Sequence, residues 1–307
     1  MTVISASLVK DLRERTGVGM MDCKAALTET KGDIEAAIDW LRKKGLAKAA
    51  KKAGRTAAEG LVGVIAEGRV GAVAEVNSET DFVARNDQFQ DMVRTITKLA
   101  LANDGDVAKT SAATYPGKTI SVDEVIKETV ATIGENMNLR RAAVVKVSDG
   151  VVAEYLHNKV TDGLGKIGVL VGLESKGDKP SLFELGRLLA MHVAATNPIA
   201  LDISGVPAAI LDREKNILAE KNVGKPPQVL EKIFQSSLKS FAKEQCLLDQ
   251  AYIHDGGKSV AQALKDAEGK VGAPVKITGF VRFALGDGIE KEKDDFAEEV
   301  KKAAGGA

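Results

Sequence analysis

Three glycines in the stretch DGLGKIG, residues 162–168, have the spacing of a dinucleotide-binding loop. Gly163, Gly165 and Gly168 match the pattern G-x-G-x-x-G. That pattern binds a pyrophosphate where the glycines lead into a helix, because the N–H groups of the helix N-terminus hold the phosphates. Here they lead into the apolar, β-like segment IGVLVGL. The sequence therefore predicts no nucleotide site and no cofactor in this loop.

The residue types that most often bind metals or act as nucleophiles are few and scattered. His157, His192 and His254 lie far apart and lack the i, i+4 spacing of a metal site. His192 shares an apolar stripe with leucines and is predicted to be a core histidine. Cys23 and Cys246 have no motif spacing, which indicates reduced thiols in a reducing compartment. We therefore predict no metal site and no catalytic residue, which favours an interaction protein over an enzyme.

One aromatic residue lies in a setting where a bulky ring is unexpected. The stretch NSETDFVARN, residues 77–86, places Phe82 among acidic and turn-forming residues, directly after two β-like runs. Aromatic residues make up only 4% of the chain, so an aromatic outside the apolar pattern is conspicuous. An exposed aromatic ring usually has a binding partner. Phe82 is therefore the first candidate for an interaction residue.

Charge and length exclude several other classes of function. The chain has 307 residues, with 43 Lys and Arg against 43 Asp and Glu, so its formal net charge is +0. Such a balance provides no overall field that would attract nucleic acid or an anionic membrane. No apolar run approaches the length of about 18 residues that a membrane helix needs, and the N-terminus lacks a signal-peptide pattern. We expect a soluble, cytoplasmic protein with no nucleic-acid or membrane partner.

The first 45 residues carry the pattern of three short helices. Predicted N-caps are Ser5, Asp22 and Asp33, and the predicted stops are the glycines at 17, 32 and 45. Residues 46–59 repeat lysine and alanine with almost no large apolar side chain, so we expect a mobile linker. A basic nucleic-acid arm is the alternative, but the segment has no aromatic residue to stack on bases.

From residue 60 onward the apolar period changes from helical to β-like, and one arrangement occurs twice. Strands are predicted at 61–66, 70–76 and 139–147, with a helix starting at Asn86, a loop at 103–118 and a helix opened by a Ser121–Glu124 capping box. A second strand pair at 151–157 and 167–173 precedes a helix capped by Ser181. The repeat indicates an internal duplication, with core subdomains at 60–148 and at 149–200 plus 246–285.

The remaining segments predict a helical insertion and a C-terminal module. Helices at 207–221 and 227–244 are joined by NVGKPP and should form a projecting antiparallel hairpin within an insertion at 201–245. A helix at 259–267, a strand at 275–285 and a charged helix at 293–302 follow, the last within a module at 286–307. The predicted class is α+β, with a three-helix N-terminal domain, a duplicated core of antiparallel sheets, a helical hairpin and a C-terminal helix.

Several motifs together resemble the bacterial translation elongation factor Ts family, and the resemblance extends in order along almost the whole chain. They are SLVKDLRERTGVGMMDCKAAL (7–27), GDIEAAIDWLRKKG (32–45), EVNSETDFVARN (75–86), IGENMNLRR (133–141), IGVLV (167–171), AMHVAA (190–195) and GFVRFALGDGIEK (279–291).

The resemblance implies both a fold and a function. It implies a ubiquitin-associated-like head, a two-part core and a protruding hairpin. It also implies a guanine-nucleotide exchange factor that binds elongation factor Tu and speeds GDP release without binding nucleotide itself. The family motif matches Thr80, Asp81, Phe82 and Val83, which the resemblance implies insert into Tu and disturb the Mg²⁺ site that helps to hold GDP. An Asx-turn is the structural alternative for Asp81.

Other partner contacts are carried over by position. They are Met20, Met21, Lys24, Ile133, Gly134 and His157. The two methionines and Ile133 could instead pack in the core, and a longer loop after His157 changes the setting of that contact. A homodimer or a 2:2 complex with Tu is left open. The competing hypothesis is an adaptor of the ubiquitin-associated type or a ribosome-associated chaperone module; the TDFV loop and duplicated core fit only the exchange factor.

Overall fold

The computed structural model describes residues 4–290, and the N-terminal part of this range forms a helical head of three helices. They are α1 (Ala6–Thr16), α2 (Met20–Glu29) and α3 (Ile34–Lys52). The predicted caps at Ser5 and Asp33 are confirmed, because their side chains accept the N–H groups of Leu8 and Ala36. Asp22 is not a cap: α2 begins at Met20, and the Asp22 carboxylate pairs with lysines of α3.

The predicted end of the third helix at Gly45 is wrong, because α3 continues to Lys52. A Cβ at position 45 would lie 2.9 Å from the Cβ of Ala131 in a later helix. Gly45 therefore serves close packing between two helices rather than a turn. The first residues of the predicted linker are helical and lie against the core.

The first half of the core is a four-stranded antiparallel sheet covered by helices. Strands β1 (Glu59–Glu67) and β2 (Val70–Ser78) form the predicted hairpin, with Gly68 at φ 64° in its two-residue turn. The sheet order is β3-β2-β1-β5, in which β3 is Met137–Lys146 and β5 is Leu164–Gly165. The helices of this half are α4 (Asp87–Ala102), α5 (Val107–Ala112) and α6 (Val122–Ile133).

Local capping chemistry explains where these helices begin. The Asn86 side chain accepts the Phe89 N–H, and Ser121 and Glu124 form a reciprocal capping box, so both predictions are confirmed. The loop predicted for residues 103–118 is wrong in part, because it contains the short helix α5. The Asp106 carboxylate accepts the Lys109 N–H and starts this helix.

The second half is a three-stranded antiparallel sheet of order β4-β6-β9. Its elements are β4 (Gly150–His157), β6 (Ile167–Glu174), α7 (Lys179–Thr196) and β9 (Lys276–Ala284). The strand pair β4–β6 is confirmed, but the predicted cap at Ser181 is wrong. Asp178 caps α7 by accepting the Ser181 N–H, and Pro180 fits the first turn because no intrahelical bond is needed there.

The two sheets pack face to face, and this contact explains a glycine of the G-x-G-x-x-G pattern. A Cβ at Gly168 would lie 2.5 Å from a Val64 methyl group and 2.7 Å from one of Val62. Gly168 therefore permits close approach of the sheets.

His192 is fully buried in the second half: its Nδ1 accepts the Ile253 N–H, so Nε2 donates to Gln250. The prediction of a core histidine is confirmed.

A helical hairpin interrupts the second half of the core. It consists of α8 (Ala208–Lys221) and α9 (Pro227–Gln245), and of their described residues Ala242 alone is buried. The chain leaves and returns at neighbouring points, because Ala200 and Cys246 form a backbone bridge. The elements β7 (Ala251–Tyr252), β8 (Asp255–Ser259) and α10 (Val260–Val271) follow. The helix predicted near 293–302 lies outside the described residues.

Two carboxylates of the core, one fully buried and one half-buried, differ in their surroundings. Glu75 is fully buried and accepts hydrogen bonds from Asn77, Arg140, Arg141 and the Gly286 N–H. Burial alone would raise the pKa of Glu75, but these donors hold it below its ordinary value. Burial raises the pKa of Glu154, whose Oε2 has no hydrogen-bond partner within residues 4–290.

Replacing Glu75 by Gln should lower the free energy of unfolding at neutral pH by on the order of 3 kcal/mol, because it leaves paired arginines without their anion. The folded-state pKa of Glu75 lies below its ordinary 4.5. Its stabilisation is therefore present above that value and is lost as the pH falls through the folded-state pKa. Urea titrations followed by circular dichroism should show the difference from wild type shrinking in acid.

Glu154→Gln is the matched control, since it neutralises a half-buried carboxylate whose pKa is shifted in the opposite direction. Because the pKa of Glu154 is raised in the folded state, ionising this carboxyl group lowers the free energy of unfolding as the pH rises. This variant should match or exceed wild-type stability at neutral pH. Equal destabilisation by the two substitutions would contradict the assignment.

Candidate functional site

The segment that contains Phe82 is a short loop, residues 79–86, between β2 and α4; we call it the projecting loop. The chain turns at Asp81 and Phe82 and then forms one turn of 3₁₀-helix, Val83–Arg85. The carbonyls of Asp81 and Phe82 accept the N–H groups of Ala84 and Arg85 at 3.2 and 3.1 Å. Backbone hydrogen bonds therefore define the shape of this loop.

The side chains of the projecting loop divide sharply between core and surface. Val83 and Ala84 are buried and belong to the same apolar cluster as Phe89. Phe82 is 74% exposed, which confirms its predicted exposure. Burial of Val83 therefore fixes the chain one residue after a large apolar ring that faces solvent.

Two carboxylates hold the other side of the projecting loop to the segment that follows α6. Glu135 accepts the Thr80 N–H at 2.9 Å and the Thr80 hydroxyl at 2.6 Å. In the reverse direction, Glu79 accepts the Asn136 N–H at 2.5 Å. We call this reciprocal arrangement of Glu79, Thr80, Glu135 and Asn136 the carboxylate clamp.

Residues at the end of α3 join the carboxylate clamp. The Arg55 guanidinium lies 3.4 Å from Glu79, and the Arg55 carbonyl accepts the Asn136 amide at 2.7 Å. The Lys52 ammonium donates to the Gly134 carbonyl. Part of the segment that sequence reasoning assigned to a linker therefore braces the projecting loop.

Some of the predicted partner residues come together, and others lie apart. Gly134 adopts φ 93° at the end of α6 and is adjacent to Glu135 of the clamp, so it lies beside Thr80. Ile133 is half-buried and packs on the core cluster, as its structural alternative proposed. His157 ends β4 in the other sheet, where it is exposed and its Nδ1 lies 3.3 Å from the Tyr155 hydroxyl.

The other predicted partner residues lie in the first two turns of α2. Met20 is 43% exposed and Met21 is 78% exposed, and Lys24 is exposed on the same helix. The buried face of α2 consists of Cys23, Ala26 and Leu27. The core alternative for Met21 is therefore wrong, and the head presents an apolar surface beside a cation.

No cluster of three or more His, Cys, Asp or Glu side chains within residues 4–290 could hold a metal ion. No helix in the same range combines the length and apolarity needed to cross a bilayer.

Sequence reasoning missed the residues that hold the projecting loop. Glu79 lies in the motif EVNSETDFVARN and Glu135 lies in the motif IGENMNLRR, so both belong to segments that the sequence analysis had identified. Their signal was weak because each carboxylate meets a partner more than 50 residues away. Two acidic residues, each flanking a predicted contact, were the only sequence indication of a clamp.

The fold and the site together define a class of protein. An exposed aromatic ring on a braced loop is suited to binding another macromolecule, because its burial against a partner is favourable. The family model described as Elongation factor TS matches residues 79–287, which include the projecting loop and the clamp.

Curated relatives match the chain from end to end. It is 62% identical over 308 residues to "Elongation factor Ts" of Methylobacterium radiotolerans, covering 100% of both chains. It is 63% identical over 305 residues to that of Xanthobacter autotrophicus, covering 99% of both. The chain belongs to the elongation factor Ts family: it is a nucleotide-exchange factor of translation elongation and not a catalytic enzyme. Family membership implies elongation factor Tu as its partner.

Two phenylalanines seven positions apart should respond differently to truncation. Phe82→Ala should change the free energy of unfolding by less than about 1 kcal/mol, because the ring already faces water. Phe89→Ala should cost about 3–5 kcal/mol, because that ring is fully buried. Urea unfolding of the two variants provides the comparison. A large loss of stability in Phe82→Ala would contradict the exposed position of this ring.

Proposed function

We propose that the projecting loop carries out nucleotide exchange through its motif Thr80, Asp81, Phe82 and Val83: Thr80 and Val83 hold the loop to this chain, and Asp81 and Phe82 insert into elongation factor Tu·GDP. There the Phe82 ring separates structural elements around the nucleotide and displaces Mg²⁺, so GDP leaves. The observation that carries this proposal is the 74% exposure of Phe82 on a loop fixed at both ends.

Burial of the Phe82 ring alone would supply enough free energy to change the affinity of Tu for GDP. Burying a Phe side chain supplies about 2–3 kcal/mol. Coupling between two ligands is reciprocal. If this protein binds Tu more tightly when the nucleotide pocket is open, it lowers the affinity of Tu for GDP by the same ratio as GDP lowers the affinity of Tu for this protein. The role of Phe82 is therefore to stabilise the open form of Tu.

The remaining contacts extend this surface. In the proposal the helical head binds Tu through Met20, Met21 and Lys24, whose exposure supports an interface. Gly134 contacts Tu beside the projecting loop, together with the exposed part of Ile133. His157 makes a separate contact from the end of β4.

The proposal also assigns roles to the larger parts of the chain. The head is of the ubiquitin-associated type, and the two core halves are diverged copies of one unit, since each contains a strand pair followed by a helix. The hairpin insertion and the β9 strand provide the second contact, to a distal domain of Tu. The factor works in the cytoplasm, where translation occurs. A 1:1 complex and a 2:2 complex are distinguished by light scattering with and without Tu.

The direct test follows the release of a fluorescent GDP from purified Tu in a stopped-flow instrument. The wild-type protein should accelerate release, and Phe82→Ala should reduce the catalysed rate about tenfold or more, since 1.4 kcal/mol corresponds to tenfold. Excess Mg²⁺ should oppose the factor.

Phe183→Ala is the matched control, because Phe183 is also exposed, at 43%, but lies on α7 in the other half of the core. It should exchange at the wild-type rate. If wild type fails to accelerate release, the function is wrong. If Phe82→Ala exchanges at full speed, the role of the ring is wrong.

A further inference from the structure

We propose that Glu135 is a positioning residue for nucleotide exchange: it holds Thr80 and thereby fixes the direction in which Phe82 leaves the surface. The inference rests on the proposed function, and it goes further by assigning a role to residues outside the TDFV motif. Glu135 acts through the projecting loop and needs no contact with the partner.

The hydrogen bonds of Glu135 restrain both the backbone and the side chain of Thr80. One carboxylate oxygen accepts the Thr80 N–H at 2.9 Å, and the other accepts the Thr80 hydroxyl at 2.6 Å. Two bonds from one ionised group to one residue fix its orientation as well as its position, and such charge-assisted bonds are stronger than neutral ones. Thr80 lies two residues before Phe82 and is therefore a firm support for it.

The clamp resists motion because it also works in the opposite direction. Glu79 accepts the Asn136 N–H, and the Asn136 side chain donates to the Arg55 carbonyl. Arg55 in turn forms an ion pair with Glu79, so these three residues are joined in a ring of contacts. Residues 79–80 and 135–136 are thereby linked as one unit with Arg55, three residues beyond the end of α3.

Only two residues span the distance between the two fixed points. Thr80 is held by the clamp, and Val83 is held by its burial in the core. Asp81 and Phe82 lie between them and form a tight turn. Releasing Thr80 would leave the loop held on one side of Phe82 only. Binding to Tu would then cost the conformational entropy of ordering the loop. Preorganisation by Glu135 removes that cost.

The test is a double-mutant cycle of Glu135→Gln and Phe82→Ala, measured as release of fluorescent GDP from purified Tu. Glu135→Gln alone should slow catalysed release by about fivefold or more, because it replaces two charge-assisted hydrogen bonds by weaker neutral ones. In the Phe82→Ala background the same change should have less than about a twofold effect, because the residue acts through the ring. Fully additive effects, or a full-speed Glu135→Gln protein, would overturn the inference.

Thr80 provides a second route to the same test. Thr80→Ser keeps the hydroxyl that Glu135 accepts and should retain most of the activity, whereas Thr80→Val should behave like Glu135→Gln. If Glu135→Gln does not fold, this pair alone decides the question. Equal activities of Thr80→Ser and Thr80→Val would contradict a role for the hydroxyl bond.

The chain contains a matched control for the chemistry of the substitution. Glu174 accepts the Ser148 N–H at 3.1 Å and the Ser148 hydroxyl at 2.6 Å, so it also holds one residue by its backbone and its side chain, here through a single carboxylate oxygen. Glu174→Gln should exchange at the wild-type rate. Hydrogen exchange of the free protein adds a readout independent of Tu: Glu135→Gln should expose the amides of residues 80–86, and Glu174→Gln should leave them unchanged.

These readouts separate two kinds of failure. A wild-type protein that does not accelerate GDP release defeats the proposed function itself. Active wild type combined with unchanged amide protection in Glu135→Gln defeats only the positioning role.

Discussion

The reciprocal hydrogen bonds between residues 79–80 and 135–136 are the constraint on which the candidate site depends. An isolated loop with an exposed phenylalanine would turn its ring toward the nearest apolar surface, since that burial is favourable. Here the ring is kept in solvent because Glu135 fixes Thr80 on one side and the core fixes Val83 on the other. The fold supplies both supports: β2 and α6 end side by side, so that the two carboxylates can reach across.

The same region connects the helical head to the core. Helix α3 runs without a break past Gly45, where it packs closely on α6, and the chain beyond it reaches the clamp through Arg55. The head is further joined to α6 by the ion pair between Arg42 and Glu124. The apolar surface at Met20 and Met21 is therefore attached to the same helices that brace the projecting loop. This arrangement suits a protein that binds one partner with several surfaces at once.

Most local capping was readable from the sequence, although the caps at Asp106 and Asp178 were missed, and long-range contacts were not readable. The caps at Ser5, Asn86 and Ser121 were predicted because each involves residues within four positions. Asp22 was misassigned because its partners, Lys44 and Lys48, are more than 20 positions away. Gly45 was read as a stop, since the close approach of Ala131 that it permits leaves no local trace.

The candidate site divides in the same way. Phe82 was found because an apolar ring among turn-forming residues violates the local pattern. The clamp was missed because a glutamate in a loop has no local signature of what it accepts. The hydrogen bonds that hold Thr80 in the loop join residues 55 positions apart, and only the fold reveals them.

The most direct measurement replaces Phe82 by a photoreactive benzoylphenylalanine and maps its crosslinks in a mixture with Tu·GDP by mass spectrometry. The account predicts a crosslink from position 82 to the nucleotide-binding domain of Tu, and none to Tu from the same residue at position 183. A crosslink from position 82 to this chain itself, with none to Tu, would contradict it.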